Sequence, residues 1–241
     1  MAMSVFGFST EPSSGGDWLP IATYDARAGR FFRIDRSQDG SGGWDSEKVD
    51  IAFKAMVDFD NIEVGWLNFT PGQAPSIVVV PLEGITKGTS KMPDRPSELH
   101  KNGIRMVVKL AKDIGGEKPF REMASSAKAF LGGIEAAYNQ YLAERAGHPG
   151  QLPVLICEKT TPITTGTGKN QSTNYAPTFK IVAWLPRGDL QPQPRGANPT
   201  QPAGGSHPSN GSGAAAPATG GQRVSPPAQQ PQQTVSADDF G

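Results

Sequence analysis

The chain has 241 residues, with 23 Lys and Arg balanced by 23 Asp and Glu for a formal net charge of zero. Its pI is near 6.8. Bulk charge therefore gives no sign of a nucleic-acid binder, so any phosphate-binding surface must be a local stripe. The single cysteine, Cys157, excludes an internal disulfide and a cysteine-cluster zinc site.

Cys157 lies in the apolar run Val154-Leu155-Ile156-Cys157 and reads as a buried, inert thiol. No run approaches the ~20 apolar residues of a membrane span. Met1 to Phe8 lacks the basic stretch and apolar core of a signal peptide. A soluble, cytoplasmic protein is expected.

Residues 1–19 are rich in Gly, Ser and Pro and read as an irregular arm. Phe6 and Phe8 could pack on the body or against a second subunit, which leaves a homo-oligomer open. From Ile21 to Arg36 the pattern is that of a half-buried strand, with Phe32 and Ile34 on one face and Phe31, Arg33 and Asp35 on the other. Arg27, Arg30, Arg33 and Arg36 recur every three residues around Phe31. Arginines interleaved with an exposed aromatic suit phosphate tracking and base stacking. An ordinary charged strand face, partnered by Asp25 and Asp35, accounts for the same residues. A glycine-rich turn, Ser37 to Gly43, leads to Trp44, placed either to stack on a base or to cover a sheet edge.

Val49 to Phe59 alternates cleanly and predicts one long strand that bends, as barrel strands do. Ile62 to Phe69 returns as the next strand, with Trp66 assigned to the core. Ser76 to Leu82 is a short apolar strand. Glu83 to Gly103 reads as a polar, mildly basic loop in which Lys87 and Lys91 are candidate phosphate contacts. A strand follows at Ile104 to Leu110. Helical spacing of apolar residues predicts one long helix from Pro119 to Arg145, bent at Gly132-Gly133 and ended by Gly147 to Gly150. Leu152 to Lys159 and Thr178 to Leu185 complete the strands, joined by a loop over 160–177 that offers Lys169, hydroxyls, amides and Tyr175.

The order predicts an α+β body, mainly β with one long helix, over residues 20–189. A five-stranded OB-like Greek-key barrel with elaborations fits it, and other layouts with a helix on an antiparallel sheet fit almost as well. In an OB barrel, the 160–177 loop is one of those that cradle oligonucleotides.

Catalytic and metal signatures are weak. Thr165-Gly166-Thr167-Gly168-Lys169-Asn170 fails as a phosphate loop, because Ile163 stands where the first Gly belongs and Asn170 where a magnesium-binding hydroxyl belongs. His100, His148 and His207 have no metal-ligand spacing. Asp58 and Asp60 at a strand end read as solvated carboxylates. No enzyme and no cofactor are expected.

The last segment, 190–241, is almost all Pro, Gly, Gln, Ala, Ser and Asn, and predicts a disordered tail. It ends in Asp238-Asp239-Phe240-Gly241, two carboxylates beside one aromatic anchor, suited to docking on a basic-rimmed apolar pocket of a partner. This organisation resembles the bacterial and phage single-stranded DNA-binding proteins. The matching residues are Asp238, Asp239 and Phe240, with a shorter acidic run than many members have and a Gly after the Phe. The resemblance implies an OB-fold body that binds single-stranded DNA, a tip that recruits replication, recombination and repair proteins, and a setting in phage or mobile-element DNA metabolism inside a bacterial host. The alternative expectation is a non-enzymatic virion or scaffold component that binds no nucleic acid.

Overall fold

In a computed structural model, residues 19–38, 44–71, 73–165, 167–190 and 236–240 are described. The N-terminal arm, the glycine-rich turn at Asp39 to Gly43, the side chain of Trp44 and the tail over 191–235 lie outside them. Among the described residues, ten strands form one sheet: β1 (Ile21–Asp25), β2 (Arg30–Gln38), β3 (Trp44–Ile51), β4 (Lys54–Val57), β5 (Glu63–Asn68), β6 (Ser76–Pro81), β7 (Lys101–Leu110), β8 (Phe120–Ser125), β9 (Gln151–Thr165) and β10 (Ser172–Pro186). The main order is β10-β9-β4-β7-β8-β1-β2-β3, with β5 pairing β7 and β6. All pairings are antiparallel except the short β1–β8 contact at Ile21 and Glu122. The helices are α1 (Leu82–Thr86), α2 (Lys112–Gly115) and the one long helix, α3 (Lys128–Glu144). The fold is mainly β, a curled half-barrel with a helix against it, and is compatible with the OB-like expectation.

The predicted long strand is broken twice. The chain turns after Ile51 to pass from β3 to β4, and a 3-10 turn at Phe59–Asn61 separates β4 from β5. The first turn lets one run pair with β2 on one side and with β9 on the other. Its core face is as the alternation predicts: Ile51, Phe53, Ala55, Val57 and Phe59 are all buried. The opposite face is buried as well, with Lys54 5%, Met56 2% and Asp58 1% exposed. β4 therefore has two lids.

The first lid is α3, which places Phe130, Ile134, Ala137 and Tyr141 on the inner face at helical spacing. Phe31, Phe53, Phe130 and Phe179 pack there, with ring centroids 4.5 Å apart for Phe31–Phe53 and 6.1 Å for Phe130–Phe179. α3 runs unbroken through Gly132 and Gly133. A Cβ at Gly133 would lie 2.4 Å from the Pro177 carbonyl oxygen, so the glycine allows α3 to touch β10. The predicted helix start is corrected: Phe120–Ser125 is β8, which pairs with β7 along its length. The apolar positions Phe120 and Met123 fit helical spacing, but sheet pairing decides the segment, a tertiary override of a local pattern.

The second lid is the segment after β10 together with the C-terminal tip. Leu190, assigned by sequence to the tail, is fully buried, and Phe240 is 4% exposed. Both join Met56, Val107, Ala111, Leu152 and Val154. Asp58 is held by both guanidinium nitrogens of Arg187, at 2.6 and 3.0 Å, and by Asn61. Asp60 accepts from Arg187 and from the Tyr141 hydroxyl. These two carboxylates form a charge clamp on Arg187: Asp58, read from the sequence as solvated, is buried, while Asp60 is exposed as that reading had it.

Buried cations each have a carboxylate. Arg105 lies between Glu63 and Glu122. Arg121, 1% exposed, donates to Asp35 at 2.6 Å and to the carbonyls of Ile34 and Gly115. Partial burial alone would raise the Asp35 carboxyl, but hydrogen bonds from Arg121 and Arg33 outweigh it and hold the group below its usual range. A carboxyl whose folded pKa is depressed stabilises the fold fully above the unfolded value near 3.8 and loses that contribution as pH falls through the folded value. Asp35→Asn is therefore expected to lower stability at pH 7 by about 1–2 kcal/mol and to flatten the acid limb of urea-melt stability between pH 5 and 2. An unchanged acid limb would show that this pair does not set it.

Candidate nucleic-acid interface

The turn between β1 and β2 is set by Asp25. Its Oδ1 accepts from the amides of Arg27 and Ala28, and its carbonyl accepts from Gly29. Gly29 takes φ 67°, the left-handed region open to glycine at no steric cost. Arg27 is thereby turned outward and is exposed. Arg30 opens β2, exposed and paired with Asp50 at 2.8 Å.

Along β2 the faces are the reverse of those predicted. Phe31 is 3% exposed and belongs to the aromatic core, so it offers no stacking surface. Phe32 is half-buried on the other face, with the Lys48 ammonium 3.9 Å from its ring centroid. The physical reason is the half-barrel: its concave side meets Phe53, Phe130 and Phe179, and the residue facing that layer is Phe31. Arg33 is likewise corrected. It bonds Asp35 and the Ile114 carbonyl, both at 2.8 Å, and packs on Gly116, so it is part of the Arg121 network. Arg36 is exposed. The outward row is thus Arg30, Phe32 and Arg36, joined from β3 by Lys48. The sequence reading missed Phe32 and Lys48. A hairpin centred on Ser41 would have found Lys48, since it puts that residue opposite Ile34.

The predicted 160–177 loop is mostly strand. β9 and β10 pair continuously from Thr160↔Pro177 out to Thr165↔Ser172, making a two-stranded arm. The threonines of this stretch favour extended pairing. Lys169 is exposed at the arm's end, in a short 3-10 turn over Gly168–Asn170.

Tyr175 joins arm to turn. Its amide donates to the Ala26 carbonyl at 2.7 Å, and its carbonyl accepts from the Tyr24 hydroxyl at 2.8 Å. Its half-buried ring lies over Gly29, where a Cβ would stand 2.9 Å from the Tyr175 Cγ. The structure so brings Arg27 and Tyr175 into one surface, with Arg30 beside the turn and Lys169 farther out on the arm.

Lys87 and Lys91 belong to a different part of the chain, after β6. Lys87 pairs with Glu83 in α1, and Lys91 is exposed. The predicted loop here starts with that helix and then folds over β5. The Trp66 indole, assigned to the core, is only half-buried. It donates to the Pro93 carbonyl at 2.7 Å, and Arg95 lies over its ring. His100 bridges Ser97 and Ser76.

Of the three tip residues expected from the sequence to bind a partner, Asp238 is exposed, Asp239 lies 3.3 Å from Lys54, and Phe240 is inside the body. Burial pushes the Cys157 thiol up to about 12, as fits an inert cysteine. Comparison of the chain with protein-family models, with curated proteins and with solved structures finds no match in any of the three.

Gly29→Ala forces a left-handed alanine and a clash with Tyr175. The expected cost is about 1–2 kcal/mol, together with faster amide exchange over 172–177. Exchange there equal to that of the unaltered chain would show that the turn does not hold the arm.

Proposed function

We propose that the body is a sequence-independent single-stranded DNA-binding domain and that the chain acts in DNA replication or recombination, its acidic-aromatic tip recruiting other proteins of that process. The observation carrying this reading is the junction at Tyr175, where an exposed two-stranded arm meets the Arg27 turn beside the Arg30–Phe32–Arg36 row. Cations interleaved with aromatics suit a strand whose phosphates and bases alternate without a sequence code.

The cations are not all free in the unliganded chain. Arg30 holds Asp50, and Lys48 lies 3.8 Å from Asp25. Both pairs are about half-exposed, and such surface pairs contribute about 0–1 kcal/mol each, so a phosphate can replace the carboxylate at little cost. The neutral net charge removes long-range steering, leaving affinity to local contacts and counterion release. Phe32, already under a cation, is the stacking platform, and the Tyr175 ring offers a second aromatic edge.

The test is an anisotropy titration of a labelled poly-dT oligonucleotide across a salt series. Binding should weaken with salt, with a slope of about 0.7 per phosphate contact, and Lys169→Ala should reduce the slope by roughly that amount. Phe32→Ala should cost about 1–3 kcal/mol of binding with little loss of stability. Phe31→Ala should instead cost about 3–5 kcal/mol of stability. No binding at micromolar protein would remove the strand-binding reading and leave that of a non-enzymatic component of an assembly.

A further inference from the structure

The outer face of the half-barrel carries a built site with a peptide in it. Its floor is Met56, Val107, Ala111, Leu152 and Leu190, and the ring of Phe240 lies on it, 4% exposed. Its charged group is Lys54, whose side chain is 7% exposed and whose ammonium lies 3.3 Å from Asp239 and 3.9 Å from Asp113. Exposed Lys112 adds its positive field at Asp239.

The peptide itself is folded. Ala237–Asp239 forms one 3-10 turn, in which the Ser236 amide donates to Asp239 Oδ2 at 2.8 Å and the Asp238 amide donates to the Ser236 hydroxyl at 3.2 Å. Asp239 thus joins the peptide's own turn to the body's lysine. Beyond the ring the site continues into a cavity of about 340 Å³ lined by Lys109, Leu185 and the 186–189 segment.

Distance separates this site from the candidate strand-binding surface. Both the site and the Arg30–Phe32–Arg36 row lie on the sheet face opposite the aromatic core, but β2 is four strands away from β4 in the sheet order. Along β10, Leu185 at the site and Tyr175 at the arm are separated by roughly 30 Å of extended strand.

We propose that this face is a receptor site for an acidic peptide carrying an Asp-Phe pair, and that the chain's own C-terminal tip is its resident occupant. A tip seated here is withheld from other proteins, so recruitment requires its release. The withholding rests on the recruiting role proposed above; the receptor site does not. Leu190, where the described body ends, and Phe240 share one cluster. A tethered tip acts at an effective concentration on the order of 1 mM, so an external copy of the peptide competes poorly while the tip is in place.

The experiment uses full-length chains and a fluorescein-labelled Ser-Ala-Asp-Asp-Phe-Gly peptide. Phe240→Ala vacates the site, and that chain should bind the peptide at least tenfold more tightly than the unaltered chain does. Asp239→Lys, which repels Lys54 but leaves the floor intact, is a second vacated chain should the first be unstable, and it should do the same. A peptide with Ala in place of Phe should bind neither. In a vacated chain, Lys112→Glu should weaken uptake several-fold without lowering thermal stability. Equal uptake by vacated and unaltered chains, or uptake by none, would overturn the site, whatever the outcome with oligonucleotides. If the site stands and poly-dT binding fails, only the recruiting role falls.

Discussion

β4 is buried on both faces, and the rest of the architecture answers to that. Inward, Ala55 and Val57 meet the aromatic layer beneath α3. Outward, Lys54, Met56 and Asp58 need cover and charge partners that no neighbouring strand supplies. An unpaired buried charge is costly, so each is met from far along the chain: Asp58 by Arg187, and Lys54 by Asp239 and by Asp113 of α2. The short segment Arg187–Leu190 after β10 is thus part of the fold. It brings Arg187 to the charge clamp, Leu190 to the outer cluster and Asp189 to Lys109.

The cover over β4 does not extend to the β1–β2 turn and the β9–β10 arm, which lie elsewhere along the sheet. The β1–β2 turn and the arm meet where the Tyr175 amide donates to the Ala26 carbonyl and the Tyr24 hydroxyl donates to the Tyr175 carbonyl, two bonds that fix position without using the charged side chains nearby. Arg27, Arg36 and Lys169 stay exposed, while Arg30 and Lys48 are held by surface carboxylates that a phosphate can displace. Buried and surface cations thereby differ: Arg33, Arg105 and Arg121 are tied to carboxylates or carbonyls within the fold, whereas the pairs of Arg30 and Lys48 are about half-exposed.

The fold class was legible in the sequence because it rests on local periodicity. The alternation from Val49 to Phe59 gave the correct core face, and the strands near 76–82, 104–110, 152–159 and 178–185 all exist. What was not legible depended on distant partners. Phe120–Ser125 carries apolar residues at helical spacing yet lies between β7 and β1. Phe31 and Phe32 are adjacent and equally apolar, and only the position of α3 decides which turns inward. The threonine-rich 160–177 segment looked like a loop because its polarity suggested solvent, whereas an exposed two-stranded arm is both polar and regular. The seating of Phe240 had no local signal at all, since its pocket is assembled from β4, β7, β9 and Leu190.

Strand binding and tip binding, as proposed, use separate regions of the surface, the first around the β1–β2 turn and the arm and the second around the Lys54–Phe240 seat. Amide hydrogen exchange on the full chain, with and without saturating oligo-dT, tests this separation most directly. Slowed exchange is expected over 26–36 and 160–177, with no change over 54–57, 107–111 and 236–240. Slowed exchange at the tip's seat, or faster exchange of the tip itself when oligonucleotide binds, would contradict it by making the two sites one.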